Sequence, residues 1–441
     1  MKTKIVAIYS PVMLFILVIS WLLLDPTLNR IVLAIGLIGA IFVVIYPQVY
    51  FIFFILMRSS FDSMATHQLI GNINAASVFT ILLIFIGIII LFKKDNLAKI
   101  KDDTFLLNIN KVFLLLLFVS LFSLINTGNF IISFTNWFRL ASVIVIFNYA
   151  YLYFSGEDKF RFLTYLVLLS SVLPLCFGFY QFLFKAGNLG TPGFNRIYGT
   201  FVHPNVFGQY LLIVFFLVFY FISNHRGNRV FWIGSYLVLF LITIEIYYTF
   251  ARGVWIALFV SLILYILCYR GLGKKFFYLL ALALLISLVY GNFQERFVDI
   301  SHSSSRNMSS WHWRVMVWSK TVSSIKEHPI IGHGLGMYRQ KFYFAAHNDY
   351  LRIAYEIGIL GLIFYLFFLY YILFKSIKNR LSAEETYENR KNSIVICLLV
   401  ALLIMSTTDN LARSTVILLY MFCVLGGLLG GKAIPQMGKV L

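Results

Sequence analysis

Apolar residues in this chain do not alternate with polar ones at strand spacing. They run on in blocks separated by short polar stretches. A block of about 20 apolar residues crosses the roughly 30 Å hydrocarbon layer of a bilayer as a helix, the form in which every backbone polar group is satisfied internally. The blocks predict spans at about 5–24, 31–57, 75–92, 105–125, 137–155, 162–184, 206–223, 230–248, 254–269, 276–290, 356–374, 393–408 and 413–430. The second is long and carries Pro47, which predicts a kink or a split into two short helices. The pattern therefore predicts an all-α polytopic integral membrane protein with about 12–14 transmembrane helices. Strand periodicity, a soluble domain and a clear internal repeat are all absent from the pattern.

Composition sharpens this picture. Of the 441 residues, 61% are hydrophobic and only 12% charged, where a soluble domain carries about 25% charged residues. Low glycine and proline content excludes a collagen-like or low-complexity chain, and 46 Phe with 27 Tyr exclude disorder. Cys176, Cys268, Cys397 and Cys423 all lie in apolar runs, which suits small buried side chains and predicts neither disulfide nor metal site. Lys2 and Lys4 before the run at 5–24 look like a signal peptide. That run is long and ends in Leu-Asp-Pro without a small-residue cleavage signature, so a retained first span is expected.

The net charge of +19 is the unusual feature, and its distribution sets the topology. Loops and tails at 93–104, 156–161, 224–229, 270–275, 375–392 and 432–441 hold 18 Lys or Arg, whereas those at 126–136, 185–205, 249–253 and 409–413 hold four. Positive residues mark the cytoplasmic side of short loops, so the first set is predicted inside, with both termini. An even number of crossings follows, and it favours the split at Pro47. Most of the positive charge is thus a topology signal, and no nucleic-acid partner is expected.

The same orientation puts the long segment 291–355 outside, between N-terminal transmembrane helices (1–290) and C-terminal ones (356–441). It holds His302, His312, His328, His333 and His347, eight Lys or Arg, and Trp311, Trp313 and Trp318. A connection this long is usually functional. It is predicted to form amphipathic helices at about 310–327 and 346–355, parted by Glu-His-Pro-Ile-Ile-Gly-His-Gly-Leu-Gly.

Two arginines stand out on the face that topology keeps poor in positive charge. Arg196 lies in Phe-Asn-Arg-Ile-Tyr-Gly-Thr-Phe, and Arg252 where two spans meet in Tyr-Thr-Phe-Ala-Arg-Gly. Arginine so near hydrocarbon snorkels, pairs or serves a site, and its fork suits diphosphate oxygens. His347, in Ala-Ala-His-Asn-Asp-Tyr-Leu, is of the residue type that accepts a proton from a hydroxyl near neutrality, though a lone interfacial histidine more often caps a helix. His328 and His333 lack metal-ligand spacing, and Gly332, Gly334 and Gly336 read as turn glycines. Asp409 reads as a salt-bridge partner for an arginine or a cap ahead of a proton-coupling carboxylate. Asp62 and His67 read as polar loop residues.

Taken together, these motifs resemble the O-antigen ligase and O-antigen polymerase superfamily. The resemblance rests on Arg314, Trp318, Pro329-Ile-Ile-Gly-His-Gly334, Ala346-His-Asn-Asp-Tyr-Leu351 and Glu356-x-Gly358-x-x-Gly361, with Arg196 and Arg252-Gly253 upstream. It covers roughly residues 196–361. The serine common before the mid-chain arginine is Ala251 here. The resemblance implies a GT-C-like helical fold with a long helical outer loop in the bacterial inner membrane. It also implies transfer of a glycan from an undecaprenyl-diphosphate-linked donor to a glycan or lipid acceptor, inverting, with no cofactor, metal or nucleotide sugar. Carried over by residue, Arg196 and Arg252 are the diphosphate-binding arginines and His347 the general base, with Arg314, Tyr338 and Asn348 as further substrate contacts. A flippase of lipid-linked sugars is the competing class. It predicts charged groups along a central path rather than at one face.

Overall fold

The computed structural model describes residues 47–63, 68–70, 73–191, 194–224, 229–268, 310–382 and 387–430. In chain order its helices are α1 (Pro47–Arg58), α2 (Ala75–Leu91), α3 (Lys94–Asp102), α4 (Thr104–Phe122), α5 (Phe130–Tyr153), α6 (Glu157–Leu183), α7 (Pro204–Asn224), α8 (Arg229–Tyr248) and α9 (Arg252–Cys268). They continue with α10 (Ser310–Ile325), α11 (Met337–Phe342), α12 (Asp349–Ser382), α13 (Tyr387–Thr408) and α14 (Thr415–Leu429), the last two joined through a 3₁₀ turn at Leu411–Arg413. Two small antiparallel hairpins interrupt them, β1 (Gln68–Ile70) with β2 (Ile73–Asn74) and β3 (Asn188–Thr191) with β4 (Phe194–Arg196). Among the described residues, α4, α5, α6, α7, α12 and α13 are long and apolar enough to cross a membrane, and α1, α8, α9 and α14 are shorter apolar helices. The chain is an all-α polytopic membrane protein. The expected spans at 5–24 and 276–290, residues 31–46 of the expected span 31–57, His67 and His302 lie outside the described residues.

Burial separates the centre of the bundle from its rim. The most apolar window of α7 is 89% buried and that of α13 72%, against 39% for α12. On the rim helices, large apolar side chains such as Leu114, Phe118, Leu169, Phe177, Ile233, Leu237, Ile363 and Phe367 are exposed, as lipid-facing residues are. Small residues bring the inner helices close. A Cβ at Gly426 of α14 would collide with the Phe147 carbonyl of α5, and one at Gly253 of α9 with the Thr408 side chain of α13. Ser261 and Cys397 then hydrogen-bond reciprocally to each other's carbonyls between α9 and α13, at 3.0 and 3.2 Å.

Several elements differ from the expectation for local reasons. α5 begins at Phe130 rather than near 137, because Asn129 accepts the Ile132 N–H at 3.1 Å and caps an otherwise apolar first turn. The polar stretch 93–104 holds the short helix α3, and Asp103 ends it by accepting the Phe105 and Leu106 N–H groups of α4, each at 3.0 Å. The expected helix at 346–355 is fused into α12 and broken at Gly358, whose φ of 76° no other residue adopts readily. The stretch 329–334 hydrogen-bonds into that break. Ile359 donates to Pro329 at 2.8 Å, His333 to Tyr355 at 3.0 Å and Gly334 to Glu356 at 2.9 Å. A Cβ at Gly332 would press on the Glu356 carbonyl and the Gly358 nitrogen, which gives the Pro-Ile-Ile-Gly-His-Gly and Glu-x-Gly motifs a single structural purpose.

Loops from distant parts of the chain meet at one end of the bundle. Ser63 donates to Thr200 at 3.0 Å, Ile197 to Tyr248 at 3.1 Å and Ala412 to the Asp349 carboxylate at 2.7 Å.

Candidate active site

At that end, β4 finishes on Arg196, and the loop after it is clamped by Gln181 of α6. The Gln181 Oε1 accepts the Tyr198 and Gly199 N–H groups at 2.8 and 2.9 Å, and its Nε2 donates to the Gly199 carbonyl at 3.1 Å. Arg196 is held across the cluster, with Nε donating to the Thr249 carbonyl at 2.8 Å and Nη2 to Asn205 Oδ1 at 2.6 Å. One arginine thereby ties the start of α7 to the α8–α9 turn. That turn presents Arg252 as the first residue of α9, after Phe250 in the left-handed region at φ 51°. Where Ala251 removes a hydroxyl, Thr249 supplies one nearby, accepting the Ala251 N–H at 3.3 Å.

His347 sits just before α12, also left-handed at φ 50°. A non-glycine residue there stores about 1–3 kcal/mol and persists only where its surroundings fix it. Here Trp318 donates its indole N–H to the Ala346 carbonyl at 2.9 Å, Asn348 caps α12 by accepting the Leu351 N–H at 3.1 Å, and the Trp313 ring lies edge-on to the imidazole, 5.8 Å between centroids. The His347 Nδ1 is buried and faces the Asp409 Oδ1 at 3.6 Å. Asp409 is fixed in turn, its Oδ2 accepting Gln209 Nε2 of α7 at 2.8 Å and its Oδ1 the Asn410 N–H at 2.9 Å. Burial works to raise the Asp409 pKa, but His347, the Asn410 N–H and His203 outweigh it and hold the carboxyl below its ordinary value. Asp409 is therefore an ionised partner of a histidine, whereas the sequence pointed to an arginine or a bare cap.

The remaining charges interact with this pair. Burial lowers the pKa of His203, Arg196 and His347 lower it further, and Asp409 opposes them. Its Nδ1 accepts the Asn205 N–H at 3.1 Å, which fits the neutral ring. Burial also lowers the pKa of Arg314 on α10, together with Arg252, while Asp409 works against both. Asp409 thus acts on His347, His203 and Arg314, while Arg252 acts on Arg314 and Arg196 on His203. Among the described residues, Arg252 and Arg314 make no ion pair.

Other predicted residues take different places. Tyr338 is 2% exposed, shares a hydrogen bond of 2.7 Å with Thr321 and packs edge-on to Tyr355, inside the loop rather than on the charged cluster. His333 stacks on Tyr355 and reaches Glu327 at 3.4 Å, and Asp62 forms a buried ion pair with Arg58 at 3.0 Å. The Trp311 side chain lies outside the described residues. Gln209 and His203 were not singled out from sequence, since both are polar residues at the start of an apolar run with nothing to mark which neighbour they meet. Arg139 was missed as well. It lies nine residues into α5, about 14 Å from its start, where an arginine costs about 2.5–3.5 kcal/mol.

The protein is thus a bundle of membrane helices that gathers arginines and a carboxylate-facing histidine at one end. A family model described as O-antigen ligase matches residues 237–366, from α8 through the break in α12. That segment is therefore similar to the O-antigen ligase family. The matched segment holds Arg252, Arg314 and His347, while Arg196 and Asp409 reach the cluster from outside it. No curated protein matches the chain.

Proposed function

We propose that the protein is an integral-membrane glycosyltransferase of the bacterial cytoplasmic membrane that moves a glycan from undecaprenyl diphosphate to an acceptor hydroxyl on the outer leaflet. The observation that carries the reading is the meeting of the His347–Asp409 pair with Arg196, Arg252 and Arg314 at one end of the bundle. Asp409 favours the His347 tautomer with its proton on Nδ1, which leaves Nε2 to accept the acceptor's hydroxyl proton. The freed oxygen attacks the anomeric carbon from the face opposite the diphosphate, and the bond to the bridging oxygen breaks with inversion. Negative charge then grows on the diphosphate, and fixed guanidinium groups in a partly desolvated site stabilise it. Because diphosphate is a good leaving group, no strong general acid is required, and the arginines supply charge stabilisation without a metal ion.

The test uses purified full-length protein with synthetic undecaprenyl diphosphate oligosaccharide and a labelled acceptor. His347→Ala is expected to lower transfer about 10²–10⁴-fold, the usual contribution of a general base, and Arg252→Ala to abolish it, with both proteins still folded. Near-wild-type turnover of the histidine variant sinks the base assignment. Activity lost in EDTA and restored by Mg²⁺ sinks the metal-free mechanism.

A further inference from the structure

Two histidines stand near Asp409, and the proposed reaction uses only one of them. The other, His203, immediately precedes α7 in the loop that follows Arg196. Its Nδ1 accepts the Asn205 N–H at 3.1 Å. A backbone N–H can only donate, so Nδ1 carries no proton and the hydrogen of the neutral ring sits on Nε2. A second proton would have to enter at Nδ1, against that N–H. Burial, with Arg196 and His347, opposes it as well. Among the described residues no group accepts the Nε2 hydrogen, and the ring is only part-buried, so this N–H is open to a ligand.

One asparagine makes this donor the neighbour of an arginine. Asn205 accepts Arg196 Nη2 on its Oδ1 at 2.6 Å while its own N–H holds His203. A guanidinium and an uncharged N–H are thereby set side by side, a combination suited to phosphate oxygens. Asp409 faces His347 rather than His203, so the two histidines are disposed to opposite tautomers. A carboxylate at Nδ1 leaves His347 an accepting Nε2, and an N–H at Nδ1 leaves His203 a donating one. Capping α7 accounts for only half of this arrangement. The His203 carbonyl accepts the Phe207 N–H at 3.2 Å and Nδ1 takes that of Asn205, work that Ser, Asp or Asn does at a helix start. A cap makes no use of Nε2.

We propose that His203 is a second substrate-contacting histidine, which donates its Nε2–H to a diphosphate oxygen of the lipid-linked donor beside Arg196. The inference rests on the transfer reading above and adds an uncharged donor to it. As the bond between the anomeric carbon and the bridging oxygen breaks, its electron pair stays on the diphosphate, and the hydrogen bond strengthens as that charge grows. The hydrogen remains on His203 throughout.

The experiment separates the two ring nitrogens in full-length protein. His203→Gln carries an amide N–H towards the Nε2 position, whereas His203→Asn keeps a capping oxygen near Nδ1 and reaches no further. With synthetic undecaprenyl diphosphate oligosaccharide, His203→Asn is expected to lower kcat/KM for the donor about tenfold to hundredfold, the weight of a hydrogen bond to a charged group. His203→Gln should recover most of that loss. The reverse order, Asn above Gln, is what a cap alone predicts and would overturn the proposal, as would near-wild-type transfer by both. A second measurement needs no turnover. In protein with nitrogen-15 in its histidine rings, undecaprenyl diphosphate should move the His203 Nε2–H resonance downfield, the signal being assigned by its loss in His203→Asn. No movement, or equal movement with undecaprenol or phosphatidylglycerol, would overturn the contact whatever the variants do. Movement in a protein that transfers to no acceptor would instead overturn the transfer reading and leave the contact standing.

Discussion

At the residue scale, the distinctive feature is a histidine that faces a carboxylate from far along the chain. His347 and Asp409 are 62 positions apart in number and 3.6 Å apart in space. Asp409→Asn keeps the shape but loses the charge that orients the ring, so transfer should fall while donor binding persists, which a kcat and KM comparison separates. His203 offers a pH test. Its folded pKa lies below the ordinary value, chiefly through burial, so below about pH 6.5 the unfolded chain takes up a proton that the folded one resists. Stability is therefore present above that pH and falls below it. The Tm of His203→Gln should drop less than that of the wild type between about pH 7.5 and 5.5. Asp409, with its pKa lowered, contributes stability that is lost only in the more acidic range below about pH 4. The sequence singled out His347, Arg196 and Arg252 by residue type and placement, and Arg314 through the family resemblance. It could not reveal that Asp409 faces His347 and is itself held by Gln209, because a hydrogen bond between helix ends 200 positions apart leaves no local pattern.

At the element scale, the break in α12 is where sequence motif and structure coincide most closely. Gly358 combines a φ of 76° with a close approach to the Ile330 carbonyl. Gly358→Ala should cost about 1–3 kcal/mol or more from backbone strain alone, and a thermal melt in detergent checks it. The predicted spans were legible because blocks of about 20 apolar residues admit little but a helix in a bilayer. Their ends were less so. α5 gained about two turns from the Asn129 cap and α12 absorbed its neighbour through a glycine, both decided by single hydrogen-bonding or small residues within otherwise uniform apolar text.

At the scale of the molecule, positive charge divides between orienting the chain and gathering at one end of the bundle. If the basic loops face the cytoplasm, Thr127 and Ser155, at opposite ends of α5, lie on opposite sides of the membrane. In a cysteine-free background, Thr127→Cys should react with a membrane-impermeant maleimide added to intact cells, and Ser155→Cys only after permeabilisation. The reverse result would turn the whole topology over. Counting loop charges could give this orientation but not the meeting of Arg139 and Arg413 beside α5. Arg139 falls within a predicted span and contributes to no loop count, and Arg413 is one residue in a sparse loop. Their meeting depends on how α5, α12 and α14 pack.

The edge-on contact of Trp313 with His347, 5.8 Å between ring centroids, gives the histidine an optical reporter. Protonated imidazole quenches indole emission on contact and the neutral ring does so far less. A chain that keeps Trp313 as its sole fluorophore would therefore dim as His347 takes up a proton. Its emission against pH would read the protonation of that ring in the resting protein, without turnover, substrate or label.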